Sequence, residues 1–71
     1  MTTTVKSDMA ATVWQVTTSV GAVVARDDEL LVLESMKMEI PVVAPVDGTV
    51  TAVHVAPTDT VGQGDLLVEI A

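Results

Sequence analysis

The sequence predicts an all-β domain, a small antiparallel sandwich or flattened barrel. Three observations carry that expectation. The apolar segments are short, rich in β-branched valine and separated by closely spaced turn signals. No stretch shows an apolar stripe at helical spacing. The two halves of the chain also resemble each other: shifted by 37 positions, residues 7–33 lie over residues 44–70 without a gap. Thr12-Val13 then falls on Thr49-Val50, Val16 on Val53, Val24 on Val61, Asp28 on Asp65 and Leu30 on Leu67, while Leu33 meets Ile70.

Taken in order, residues 12–18 read as the first strand, with Val13, Trp14 and Val16 as its apolar positions. Ser19-Val20-Gly21 and Asp27-Asp28 are turns. Residues 30–35 and 38–43 are the arms of a hairpin. Pro45-Val46-Asp47-Gly48 turns the chain into a repeat of the first strand, marked by Val50, Val53 and Val55. Pro57-Thr58-Asp59 and Gly62-Gln63-Gly64 are the next turns, and residues 66–70 form the closing strand. The prolines are expected at turns or strand ends, where a missing N–H costs little. Residues 34–43 connect the two halves, and under a two-fold axis their counterparts are the chain termini. The hairpin is therefore expected at one end of the barrel and both termini at the other.

Composition narrows the function. At 71 residues, the chain reads as one domain, 1–71, with no second domain to close over a substrate. Without cysteine, neither disulfides nor thiolate metal sites are available, so stability rests on apolar burial and strand pairing. The formal net charge of −7, with Lys6, Arg26 and Lys37 as the basic residues, argues against nucleic acid as a partner. An acidic surface instead favours solubility and steers the domain toward basic clefts. The N-terminal segment lacks the apolar core of a signal peptide, and no apolar run is long enough to span a bilayer. A soluble cytoplasmic protein without a membrane partner is the expectation. Catalytic constellations are missing: there is one histidine, no cysteine and no glycine-rich phosphate loop.

The feature that asks for a function is Glu34-Ser35-Met36-Lys37-Met38-Glu39. Lysine at a strand reversal points into water, and apolar side chains on both sides of it forgo burial. A two-residue turn at Met36-Lys37 pairs Ser35 with Met38. Such turns require positive φ and favour Asn or Gly, so Met and Lys there imply strain of about 1 kcal/mol or more each. A lysine displayed for another protein to read and modify fits this pattern. The plainer alternatives are a solubilising turn lysine and, for the methionines, a small hydrophobic clasp over the end of the sheet.

That hexapeptide, with Ala44-Pro45-Val46-Asp47-Gly48-Thr49-Val50 behind it and Gly64-Asp65-Leu66-Leu67 with Ile70 near the C-terminus, resembles the biotinyl (biotin/lipoyl attachment) domain family. The likeness covers residues 7–71. It implies a flattened β-barrel (a barrel-sandwich hybrid) of two four-stranded antiparallel sheets. It also implies that the chain is a carrier and not an enzyme. Lys37 is then the site of covalent biotin, Met36 and Met38 are the flanks read by biotin protein ligase, and Glu34 and Glu39 assist docking. The carrier takes carboxylate from a biotin carboxylase to a carboxyltransferase. Lipoyl domains are similar but usually place Asp before the lysine and Ala or Val after it, so the methionines favour biotin. A lipoyl or dual carrier and an unmodified docking module are the alternatives. The sequence departs from the family's pattern at Asp8 and Ala11, opposite Pro45 and Gly48, and at Asp27, opposite Gly64. Asp tolerates a positive φ better than most residues. There is no room for the extra loop that some acetyl-CoA carboxylase carriers insert in the first half.

The other polar residues have structural readings. His54 is expected on a strand surface or near a turn, since no second histidine or cysteine joins it in a metal site. Asp27-Asp28-Glu29 reads as a solvated acidic turn, Asp59 and Asp65 as makers of turn hydrogen bonds, and Trp14 as a partly buried packing residue.

Overall fold

Segments rich in valine, leucine and threonine build eight strands among the described residues: β1 (Thr3–Lys6), β2 (Ala11–Val16), β3 (Val23–Val24), β4 (Glu29–Ser35), β5 (Met38–Val43), β6 (Gly48–Val53), β7 (Thr60–Val61) and β8 (Leu66–Ile70). The computed structural model describes residues 2–71. The strands form two four-stranded antiparallel sheets, β1-β8-β6-β3 and β5-β4-β2-β7. Among the described residues no ladder joins the two sheets, so the flattened barrel is an open sandwich. The chain switches sheets at every connection except β4 to β5.

The 37-residue shift carries each sheet onto the other. It sends Ala11–Val16 onto Gly48–Val53 and Val23–Val24 onto Thr60–Val61, and the strand order of one sheet becomes that of the other. Turn hydrogen bonds follow the same rule. Asp28 Oδ2 accepts from the Ala25 N–H at 2.9 Å, and Asp65 Oδ2 accepts from the Gly62 N–H at 2.7 Å. Asp59 Oδ2 likewise accepts from the Ala56 N–H at 2.9 Å. Left-handed positions coincide too: Gly21 (φ 91) with Thr58 (φ 78), and Asp27 (φ 75) with Gly64 (φ 88). The departure at Asp27 therefore leaves that turn like its counterpart at Gly64, whereas the turn at Asp8 and Ala11 is bonded differently: the Ser7 hydroxyl donates to the Met9 carbonyl at 2.6 Å, and its counterpart Ala44 has no hydroxyl. The correspondence also extends further than the sequence shows, because β1 is the counterpart of β5, which reads in sequence as part of a connector.

Side chains from the two inner faces meet in a core of valine and leucine. Val13, Leu30, Leu31, Leu33, Val50, Leu67, Val68 and Ile70 are all essentially inaccessible. Four bulges shape it, in two-fold pairs. Between β4 and β5 the register jumps from Glu29↔Val43 to Leu31↔Val42, and between β1 and β8 from Val5↔Val68 to Lys6↔Leu66. The extra residues are Leu30 and Leu67. A bulge lets consecutive side chains share a face, which is how Leu30-Leu31 and Leu67-Val68 are all buried.

The second pair corrects the simple alternation expected for residues 12–18. Register passes from Val13↔Leu33 to Gln15↔Val32 and leaves Trp14 as the extra residue. Thr51 occupies the same place in β6. Trp14 is thereby turned to the surface, and its 49% exposure removes it from the packing role expected of it. One proline is also placed differently: Pro41 lies within β5, paired with Val32. β5 is an edge strand, a setting that also tolerates a missing N–H.

Candidate functional site

Among the described residues, the β4–β5 hairpin is the one place where consecutive strands pair with each other. β4 is held on both sides, by β5 and by β2, and its leucines anchor it in the core. Leu33↔Ile40, Glu34↔Glu39 and Ser35↔Met38 are the last three pairs, leaving Met36 and Lys37 as a two-residue turn. Their φ values of 53° and 64° are both left-handed, as the tight hairpin turn demands. The strain expected there is present.

Met36 is 92% exposed and Met38 64% exposed, so neither folds back as a clasp over the sheet. Lys37 is exposed, and among the described residues it makes no hydrogen bond or ion pair; the salt bridge found joins His54 and Glu69, with Nε2 and Oε2 2.8 Å apart. The lysine amine is thus presented to solvent on a fixed stem, between two apolar side chains. Glu34 and Glu39 face each other directly across the hairpin and are both exposed. Like charges in that position are mildly destabilising, so the pair is not there for the stability of the sheet. The tip's counterpart in the other sheet is the pair of chain ends: Glu34 corresponds to Ala71 and Glu39 to Thr2.

All five residues singled out in the motif therefore sit together at one hairpin end. The remaining candidates lie elsewhere and have structural partners. His54 directly follows the end of β6 and meets Glu69. Asp28 closes a turn, and Asp47 Oδ1 accepts from the Arg26 N–H at 2.7 Å, tying two loops together. No cluster of His, Cys, Asp or Glu among the described residues could hold a metal ion. No helix among them is long and apolar enough to cross a membrane. Sequence reasoning missed the outward face of this sheet, where Trp14 joins Val32, Pro41 and Val43. The signal was available in the repeat, since Trp14 stands opposite Thr51.

With the lysine hairpin and the sandwich in place, the family can be assigned. The biotin/lipoyl family, described as "Biotin-requiring enzyme", matches residues 3–70. The chain belongs to the biotin/lipoyl attachment family. Within it, the biotin carboxyl carrier protein of Streptococcus mutans is 43% identical over 68 residues, covering 96% of this chain and 52% of that protein. The biotinylated protein TB7.3 homolog of Mycobacterium leprae is 43% identical over 67 residues, 94% of each chain. The chain thus spans about half of the first relative and nearly all of the second. Among solved structures, the urea carboxylase of Kluyveromyces lactis contains the same fold. It superposes with a TM-score of 0.94 and 28% identity, over 100% of this chain and 6% of that one. The attachment-family fold therefore occurs both as a small protein and as a minor part of a large carboxylase.

Proposed function

We propose that this chain is a biotin carboxyl carrier, modified on Lys37 by biotin protein ligase and serving a biotin carboxylase and a carboxyltransferase in turn. The observation that carries the reading is the Met36-Lys37 turn, strained and projecting into solvent, in a chain of the biotin/lipoyl family. Residues 1–71 are read as one attachment domain, with halves 7–33 and 44–70 around the hairpin 34–43. The strand-by-strand correspondence supports that division. A cytoplasmic setting suits a protein modified at the expense of ATP.

The residues present fit a covalent group. An amide needs one accessible primary amine with room around it, and Lys37 offers this without a competing partner. Ammonium is a poor nucleophile, so the ligase must take a proton before attack. The free amine then adds to the acyl carbon of biotinyl-adenylate, an N–C bond forms, AMP departs with the electrons of the broken C–O bond, and a second N–H proton is lost. Removing one positive charge takes the formal net charge from −7 to −8. Once bound, biotin supplies a ring that takes up and releases carboxylate. The chain's own contribution is position: a rigid stem confines the arm and raises its local concentration at each enzyme that engages the domain. Met36 and Met38 are the apolar flanks offered to the ligase, with Glu34 and Glu39 beneath them.

The test is carboxyl transfer. Fully biotinylated protein, incubated with a biotin carboxylase, ATP and labelled bicarbonate, should acquire protein-bound label, while the unmodified protein should not. A fully biotinylated protein that never acquires label would contradict the carrier role. The family also takes in lipoyl attachment, so a lipoyl carrier is the second reading; modification by a lipoate ligase in preference to a biotin ligase would establish it.

A further inference from the structure

The two-fold repeat supplies an internal control for the surface. Every strand of the lysine-bearing sheet has a counterpart 37 positions away in the other sheet. On the outward side of the lysine-bearing sheet, Val32 pairs with Pro41 in β5 and with Gln15 in β2, next to the bulged Trp14. Val43 follows Pro41 on the same side of β5. The counterparts of Trp14, Val32, Pro41 and Val43 are Thr51, Glu69, Thr4 and Lys6. Four apolar residues stand where the same fold, in the same chain, is content with four polar ones. Packing therefore does not require them. Trp14 is 49% exposed and Val43 41%. Val32 is only 7% exposed although it lies outside the inner core, so its cover comes from neighbours on this outer face. Between the apolar group and the tip lies the Glu34↔Glu39 pair, whose counterparts, Ala71 and Thr2, are uncharged side chains.

We infer that this outer face is the docking footprint of the ligase that acylates Lys37, through a ligase surface with an apolar centre and arginine or lysine groups set against Glu34 and Glu39. The inference rests on the carrier reading above and adds the partner surface to it. An enzyme acting on the Lys37 amine must enclose the tip, because an unmodified lysine has no longer arm to reach with. A stable specific interface covers about 800 Å² on each partner, far more than three tip residues supply, so the footprint must continue down the hairpin. The inner side of the hairpin is committed to the core. The outer side offers an exposed tryptophan, the residue type most enriched among binding hot spots. It also offers two opposed carboxylates that a cationic partner would relieve. A second copy of this chain fits poorly, since both copies carry a formal net charge of −7 and a two-fold contact brings their glutamate pairs together.

The experiment is steady-state biotinylation of the full chain by a purified bacterial biotin protein ligase, with biotin and ATP saturating and the carrier varied. Trp14→Thr and Val43→Lys install the residues found at the two-fold positions. Each should raise KM about tenfold while kcat stays within about twofold. Thr51→Ala, on the outer face of the other sheet, should leave both unchanged. Glu34→Gln with Glu39→Gln should raise KM and flatten its dependence on salt. Thermal melting of each variant reports folding, and Val43→Lys, on an exposed edge strand, keeps the test decisive if Trp14→Thr is unstable. An unchanged KM in the folded variants overturns the inference. So does normal biotinylation combined with loss of carboxylation by a biotin carboxylase, which assigns the face to that enzyme. Wild-type protein that the ligase leaves unmodified would overturn the carrier reading itself.

Discussion

Met36 and Lys37 hold left-handed backbone that neither side chain favours, and both side chains face water. Strain without burial does not serve the stability of the turn. Met36→Asn should therefore stabilise the domain by about 1 kcal/mol, read by chemical denaturation. The same substitution should slow biotinylation, because the turn improves while an apolar flank is lost. Thr58 presents the same strain without a motif around it. A β-branched residue at φ 78° is unusual, and its counterpart, Gly21, shows what the turn accepts. Thr58→Gly should raise stability by up to about 1 kcal/mol, whereas the usual effect of a new glycine is a loss. A lower denaturation midpoint in Thr58→Gly would contradict this. Lys37 and its flanks were legible in the sequence because turn chemistry and side-chain character disagree there. Trp14 was misread because a bulge, not alternation, decides which way it points.

At the scale of elements, the long strands and the hairpin were readable from valine and leucine periodicity, as was the turn pairing Ser35 with Met38. β1, β3 and β7 were not. β3 and β7 contain two residues each, too few for any period, and β1 has the ordinary composition of a chain terminus. The four bulges were also hidden, because they depend on register across strands and leave no local mark. Gly48 illustrates the difference between turn and space. It opens β6 without a left-handed φ, yet a Cβ there would overlap the Ala71 carbonyl oxygen and the Ile70 Cγ2. Its counterpart is Ala11, so the strand start itself accepts a methyl group. Gly48→Ala should cost about 1–3 kcal/mol by overpacking, measured as a loss of unfolding free energy. An unaffected variant would mean that the chain end moves aside freely.

The molecule, 33 × 18 × 17 Å along its principal axes, consists of two interlocked halves. Each half contributes strands to both sheets, so neither buries its apolar face without the other. The repeat was legible in sequence because its halves align without a gap. That the sheets stay open was not, since sandwich and barrel share the same alternation. Asymmetry is laid over this symmetry: the β4–β5 turn carries Lys37 where the other sheet has the chain ends, and one outer face is apolar and acidic where its twin is polar. In the carrier reading Lys37 alone receives biotin. The decisive measurement is intact mass after co-expression with a biotin protein ligase. Wild-type protein should gain the mass of one biotinyl group and Lys37→Ala should gain none. Full modification of Lys37→Ala, or an unmodified wild-type protein beside an active ligase, would contradict it.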